Sequence, residues 1–327
     1  MVGDIVDSAN NIYRFVDAHF FPDAFNQRTM TGRYVGAHSA DLVRLPLLQL
    51  YGGVWMDVGT ILIRHLDDIW SVIEDPSTPY ELAGMTLPLR PAGEETMVNS
   101  FLATLHNNGY ITRWHRIFLT IWKDSTECAG LHAHPVLRHL PPYTPPAGEP
   151  NAPNIPQTRE DMSDYLAHML CHERLRNLVD PSNGFNGRLF YETKTYLLPI
   201  LREACYFQLK SSWDGEMQFR LLTTPYDVPE VDRDEQYHRA KDVVHGVLTK
   251  STMIKLQHGP SGVTRPWLAD LWDDPNNHSA DNRPGTFGQY LRQSILRLNQ
   301  TRPLVPLAVA PLATPIYVSG LLQPIGN

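Results

Sequence analysis

The chain reads as an α/β protein whose second half is helical and irregular. Three features predict this. Short apolar runs of strand length alternate with stretches that repeat at helical spacing, and a proline-rich segment follows them, beyond which helical patterning dominates.

Residues 5–25 mix short apolar groups with Asn, Asp and Pro and read as helix and loop. Ser39 then opens a helical pattern with Leu42, Leu45, Leu48 and Leu50 as its apolar positions. Serine suits an N-cap, and Gly52-Gly53 suits a helix stop. Pro46 lies inside this pattern and cannot donate to the carbonyl of Leu42, which predicts a kink or local opening. Val54 to Val58 is an apolar run interrupted by Asp57 near its end, and residues 60–63 read as a second extended piece. Leu66, Ile69, Trp70 and Ile73 fall at helical spacing, with Asp67 and Asp68 in the first turn, where the helix dipole favours acids. Residues 80–86 look strand-like. Tyr110, Trp114, Ile117, Phe118, Ile121 and Trp122 mark a strongly amphipathic helix. Residues 135–156 are rich in Pro, Gly and Asn and read as irregular, and Met162, Tyr165, Leu166, Met169 and Leu170 begin another helix.

The chain has 327 residues, 42% of them hydrophobic and 19% charged, enough to bury a sizeable core. We read residues 1–300 as one domain with the proline-rich loop 135–156 inside it. Residues 301–327 read as a Pro-rich apolar tail. The net charge of −7, with no run of Lys or Arg, excludes a groove that neutralises many phosphates of a nucleic acid. A small diphosphate stays admissible, because one metal ion and one or two cations neutralise it locally. Cys128, Cys171 and Cys205 are scattered and match neither a disulfide framework nor a structural zinc site. The N-terminus is mixed and acidic early, unlike a signal peptide or an anchor. The uncharged stretch from Pro303 to Asn327 is broken by Pro306, Pro311, Pro315 and Pro324, so no transmembrane segment is expected and a loosely packed tail is. No compartment is legible: the cytoplasm is the default, and the secretory pathway stays open for a chain preceded by more residues.

Asp41 and Arg44 are three apart on one predicted helix and share a face. The Gly52-Gly53 turn leads from that helix into a strand that ends at Asp57. In open α/β sheets ligands bind beyond the carboxyl ends of the strands. An acid at a strand end, near a helix-borne acid and base, is what sugar transfer from a nucleoside diphosphate needs. The leaving diphosphate must be neutralised, commonly by a divalent metal on oxygen ligands, and the sugar hydroxyls must be gripped. Taken singly, an Asp–Arg pair at this spacing is a surface ion pair of little worth, and a strand-end Asp is a turn acid. The joint pattern carries the reading.

The segment His38-Ser-Ala-Asp-Leu-Val-Arg-Leu-Pro-Leu-Leu-Gln-Leu-Tyr-Gly-Gly-Val-Trp-Met-Asp-Val-Gly-Thr resembles the signature S-x-D-x-x-R…L-x-x-Y-G-G-x-[WY]-x-D. That signature belongs to the capsular polysaccharide synthesis proteins and the related family-32 mannosyltransferase-like enzymes, and the segment looks closest to fungal members of the former. Weaker resemblance runs through Arg64-His-Leu-Asp-Asp, Val98-Asn-Ser-Phe-Leu-Ala, Leu131-His-Ala-His-Pro and Leu256-Gln-His-Gly, so it covers most of residues 30–295.

The resemblance implies a GT-A-like fold, a nucleotide-sugar-binding sheet flanked by helices and carrying a D-x-D metal motif. It implies a glycosyltransferase that moves a sugar from a nucleotide-diphosphate donor to a glycan or small-molecule acceptor, with retention. Asp41, Arg44 and Asp57 would be the catalytic residues, the first two toward the donor sugar and nucleotide and Asp57 as the first acid of D-x-D. Ser39, Gly52, Gly53, Gly59, Thr60 and Asn99 would line the substrate. A divalent metal, Mn or Mg, would be weakly held by Asp57 and His258.

Two departures stand against the pattern. The second acid of D-x-D is replaced by Gly59, which removes one metal ligand. Only 38 residues precede Ser39, with no clear opening strand, so the first nucleotide-binding strand of a GT-A fold is expected to be missing. These departures keep two alternatives open: a degenerate, non-catalytic nucleotide-sugar- or carbohydrate-binding protein, and a secondary-metabolism group transferase on the same fold.

Other candidates carry less. His132 and His134 would share a face on a strand, yet no third zinc ligand has a fitting spacing, and a loop-organising role is expected. Tyr110, Trp114, Phe118 and Trp122 could stack on sugars, but their helical spacing says core. Gly-Pro-Ser-Gly at 259–262 is a turn and a poor phosphate loop.

Overall fold

The computed structural model describes residues 11–90, 94–143, 158–256, 266–309 and 314–326. His258, the turn at 259–262 and much of the 135–156 loop lie outside the described residues.

In chain order the elements are α1 (Asp23–Asn26), α2 (Val35–Tyr51), β1 (Gly53–Met56), β2 (Thr60–Leu62), α3 (Asp67–Glu74), β3 (Leu82–Pro88), β4 (Glu95–Thr104) and α4 (Gly109–Trp122). The second half adds α5 (Arg159–Tyr165), α6 (Ala167–Arg176), β5 (Leu178–Asp180), β6 (Phe185–Asn186), α7 (Gly187–Lys194), β7 (Thr195–Pro199), α8 (Ile200–Glu203), α9 (Tyr206–Lys210), α10 (Gly215–Thr223) and α11 (Glu235–Lys250). It closes with β8 (Met253–Lys255), α12 (Leu268–Asp273), α13 (Phe287–Ile295) and β9 (Tyr317–Val318). The result is a mixed α/β fold with a central mixed sheet flanked by helices, consistent with a GT-A-like arrangement.

The central sheet has the order β1-β4-β3-β7; β1 and β3 run antiparallel to β4, and β3 runs parallel to β7. Periodicity alone missed β4, because its buried residues fill both faces in succession: Thr96, Met97 and Val98, then Ser100 to Thr104. Such a run lacks the two-residue alternation of a half-exposed strand. Helix α4 packs on α2 and α6, and α2 and α6 pack on β4. Their apolar faces, with Leu42, Leu45, Trp114, Phe118, Trp122 and Leu170, build the main core. The aromatic stripe of α4 is therefore core, as its spacing predicted.

A second core gathers α9 to α13 around Phe207, Leu221, Val244 and Phe287. The antiparallel ribbon of β2 and β8 joins the two. Side chains alternate along these strands. Ile63 and Ile254 enter the second core, while Leu62 and Met253 turn to the first. Lys255 shares the face of Met253, and Thr60 shares the face of Leu62. The ribbon thus aims both residues toward the main sheet.

Two sequence expectations are corrected. Helix α2 begins at Val35, a turn before the predicted Ser39 cap, because His38 packs inward against Trp122 and Tyr165 and extends the buried face. The helix runs on through Pro46. The tail is also not loosely packed. Arg174, buried on α6, donates to the carbonyls of Gly320, Leu321 and Gln323, and β9 adds to β5. At the start of the tail, Arg302 pairs with the buried carboxylate of Glu203. Paired backbone carbonyls and Leu321 in the core hold the tail against the body.

Candidate active site

The Gly52-Gly53 turn delivers the chain from α2 into β1. Both glycines have positive φ, 66° and 90°, and a Cβ on Gly52 would lie 2.5 Å from the His106 nitrogen. Only glycine lets the two segments approach so closely. β1 then pairs with β4 through Met56, opposite Phe101, and the Asp57 amide donates to the Ser100 carbonyl at 3.0 Å. This pairing fixes Asp57 at the carboxyl end of β1.

Four of the predicted residues converge there. On α2, Arg44 Nη2 lies 2.8 Å from Asp41 Oδ1 and 3.5 Å from Asp57 Oδ1. Arg44 Nη1 donates to the Asn99 carbonyl on β4. The Asn99 amide donates to Asp41 Oδ1 at 2.9 Å and points its other hydrogen at His168 Nδ1, 3.3 Å away. Asn99 is the donor, so His168 must offer Nδ1 as a neutral acceptor. Burial holds His168 neutral, down to about 3, against the pull of Asp41. Burial alone would raise Asp41, yet the Arg44 charge and the His38 contact hold its carboxyl at about 2.

Asp57 has two further partners. Trp55 Nε1 donates to Oδ1 at 3.3 Å, and the Arg44 guanidinium lies 5.2 Å from the Trp55 ring centroid. On the other oxygen, Lys255 Nζ donates to Oδ2 at 2.8 Å. Tyr165 borders the same cluster: burial, then the Asp41 and Asp57 charges, push its phenol up to about 12.

Residues 5–129 match the capsular polysaccharide synthesis protein family. Across 325 residues the chain is 46% identical to the O-glycosyltransferase braB of Annulohypoxylon truncatum, covering 98% of this chain and 77% of that protein. The chain belongs to the capsular polysaccharide synthesis protein family. It is also 42% identical to the glycosyltransferase afumC of Aspergillus fumigatus over 322 residues, with 98% and 81% coverage. Against the O-glycosyltransferase PaGT of Phomopsis amygdali it is 42% identical over 323 residues, with 98% and 78% coverage. No solved structure matches the chain. With relatives of this kind along nearly its whole length, this member of the capsular polysaccharide synthesis family is a glycosyltransferase.

In this family member the other predicted residues fall in different places. Ser39 is buried inside α2, and its hydroxyl donates back to the Val35 carbonyl at 2.7 Å. Gly52 and Gly53 stand at the opposite end of β1 from Asp57, where they form the turn out of α2. Gly59 and Thr60 do adjoin the cluster: Gly59 accepts from the Leu256 amide at 2.6 Å, and Thr60 pairs with Lys255. His132 lies on a 3-10 turn and pairs with Asp164 at 2.7 Å, while the Val136 amide donates to His134 Nδ1. Both histidines organise that loop.

Sequence reasoning missed Lys255, His38, His168, Tyr165 and Trp55. Lys255 directly precedes the Leu256-Gln-His-Gly block and was one residue from notice.

A divalent cation on Asp57 needs oxygen ligands with free lone pairs. Lys255 at Oδ2 and Arg44 at Oδ1 already set two positive charges against this carboxylate, and both repel a divalent cation. The second-acid position is Gly59, where even a Cβ would stand 3.2 Å from the Leu256 carbonyl. Among the described residues no group of three His, Cys, Asp or Glu side chains could hold a metal. The described side chains by themselves make no metal centre at Asp57, and His258, the other expected ligand, lies outside them.

Proposed function

We propose that this glycosyltransferase moves a sugar from a nucleoside-diphosphate donor to an acceptor hydroxyl at the cluster of Asp41, Arg44, Asp57 and Asn99. The observation that carries the reading is that residues from α2, β1 and β4 converge on one half-exposed carboxylate. The side chain of Asp57 is 30% exposed, against 8% for Asp41 and 4% for Arg44.

The roles follow from that difference. Asp41 and Arg44 are positioning residues: each spends its hydrogen bonds on the protein, and together they hold Asp57 at the strand end. Asn99 locks Asp41 through one amide hydrogen. Asp57 offers its exposed face to the hydroxyls of the donor sugar. In the transfer, the bond from the anomeric carbon to the diphosphate oxygen breaks and its electron pair stays on the diphosphate. The acceptor oxygen forms the new bond to that carbon, and its proton passes to the departing diphosphate. Fixed charges that are already aimed stabilise this charge development best, because they need not reorganise during the step.

An oxygen acceptor on a glycan or small molecule is supported by two relatives named O-glycosyltransferases. Retention of configuration is the family-level expectation. Purified protein incubated with a panel of nucleotide sugars should release nucleoside diphosphate, and Asp57→Ala should abolish the release. Proton NMR of the transferred sugar reads the anomeric configuration. Absence of release from every donor, by folded protein, would sink the reading.

A further inference from the structure

We propose that Lys255 supplies, from the end of β8, the positive charge at the donor diphosphate that related transferases draw from a divalent metal. This rests on the donor reading above and adds to it the identity of the cation.

Three observations carry it. First, Lys255 is the cation of the cluster that reaches solvent. Its side chain is 23% exposed, while Arg44 is 4% exposed and engaged by Asp41, Asp57 and the Asn99 carbonyl. Second, Lys255 is held in place. Its amide donates to the Ala204 carbonyl at 3.0 Å, its carbonyl accepts from Gln208 Nε2 at 2.6 Å, and its strand pairs with Thr60. Among the described residues Asp57 is its hydrogen-bond partner, which leaves ammonium donors for an incoming oxyanion. Third, the backbone closes where a second metal ligand would stand. The Gly59 carbonyl bonds the Leu256 amide, the residue after Lys255, so the missing acid and the lysine are two aspects of one local arrangement.

The chemistry agrees. A lysine ammonium is a compact point charge suited to phosphate oxygens. Asp57 orients it from one side, so the cation is in place before the donor arrives. The carboxylate keeps its place at the strand end, with its negative charge offset by Lys255 and Arg44.

Calorimetric titration tests this, with UDP, GDP, ADP, CDP and dTDP and their parent nucleosides, in EDTA and in Mn2+. The wild-type protein should bind one of the diphosphates in EDTA, with affinity little changed by Mn2+. Lys255→Ala should weaken that diphosphate about 10- to 100-fold, the worth of a charge-assisted hydrogen bond, and leave its parent nucleoside unchanged. Lys255→Arg should recover part of the loss. Thermal unfolding of each variant reports on folding separately. Wild-type binding that requires Mn2+, or Lys255→Ala that binds the diphosphate as the wild type does in EDTA, would overturn the assignment of Lys255 while leaving the donor reading intact. Folded protein that binds no diphosphate in either condition overturns the donor reading as well.

Discussion

Lys255 Nζ stands 2.8 Å from Asp57 Oδ2, and this contact joins the ends of strands from two different sheets. Both side chains are partly exposed, so the pair adds little to stability, at most about 1 kcal/mol. Its value must be sought in function.

Asp57→Asn keeps the shape and removes the charge that Lys255 and Arg44 share. Turnover should fall by about 100-fold or more, as when a preorganised electrostatic group is lost. Thermal unfolding should shift by no more than about 3 °C. Steady-state kinetics and a melting curve on the same preparation check this; a large drop in melting temperature would mark Asp57 as structural.

Arg44 behaves in the opposite way. It is the nearer cation to buried Asp41, and Arg44→Met would leave His38 as that carboxylate's remaining charged partner. Breaking a buried pair from one side costs about 3–5 kcal/mol. Urea denaturation should show that loss. Arg44→Lys should recover only part, because one ammonium cannot serve Asp41, Asp57 and the Asn99 carbonyl in the fork that the guanidinium spans.

Asn99→Asp is nearly isosteric but replaces a donor with a negative charge beside Asp41. It should destabilise by more than about 2 kcal/mol and exceed the cost of Asn99→Ala, which removes the donor without adding repulsion. The order of urea midpoints decides the point: Asn99→Ala below Asn99→Asp would contradict it.

Histidines set two pH windows. Burial holds His115 at about 4, His168 at about 3 and His172 well below its ordinary value. In the folded protein they stay neutral, while the unfolded chain protonates them below about 6.5. Acid therefore favours unfolding, and each contributes a loss of up to about 1.4 kcal/mol per pH unit below that point. His38 has the reverse sign. Burial would lower it, but Asp41 and Cys128 hold it up at about 9. Its contribution is full below about 6.5 and is lost as pH rises through 9. Urea denaturation from pH 5 to 10 should show maximal stability near 6.5, and His38→Gln should flatten the alkaline limb.

Much of the site was legible because its parts are close in sequence. Helix spacing placed Asp41 and Arg44 on one face, and the double glycine marked the turn into the strand that ends at Asp57. Asn99 was reached by resemblance, since its neighbours on β4 show no two-residue alternation. Ser39 was misplaced because a good capping residue also tolerates a helix interior when its hydroxyl can bond the carbonyl four residues back, here Val35. The tail looked loose because uncharged, proline-rich chain carries no periodic signal, and the groups that fasten it are the distant Arg174 and Glu203.

The sequence by itself determined the family, the α/β class and the block from Asp41 to Asp57, because those properties rest on local spacing and turn chemistry. The tertiary structure decided what surrounds Asp57. Lys255 lies 198 residues further along the chain and reaches Asp57 only because β8 pairs with β2, and no local pattern records that pairing. Whether a carboxylate faces a free site or a fixed ammonium depends on contacts between distant segments. At Asp57 the fold supplies the ammonium of Lys255.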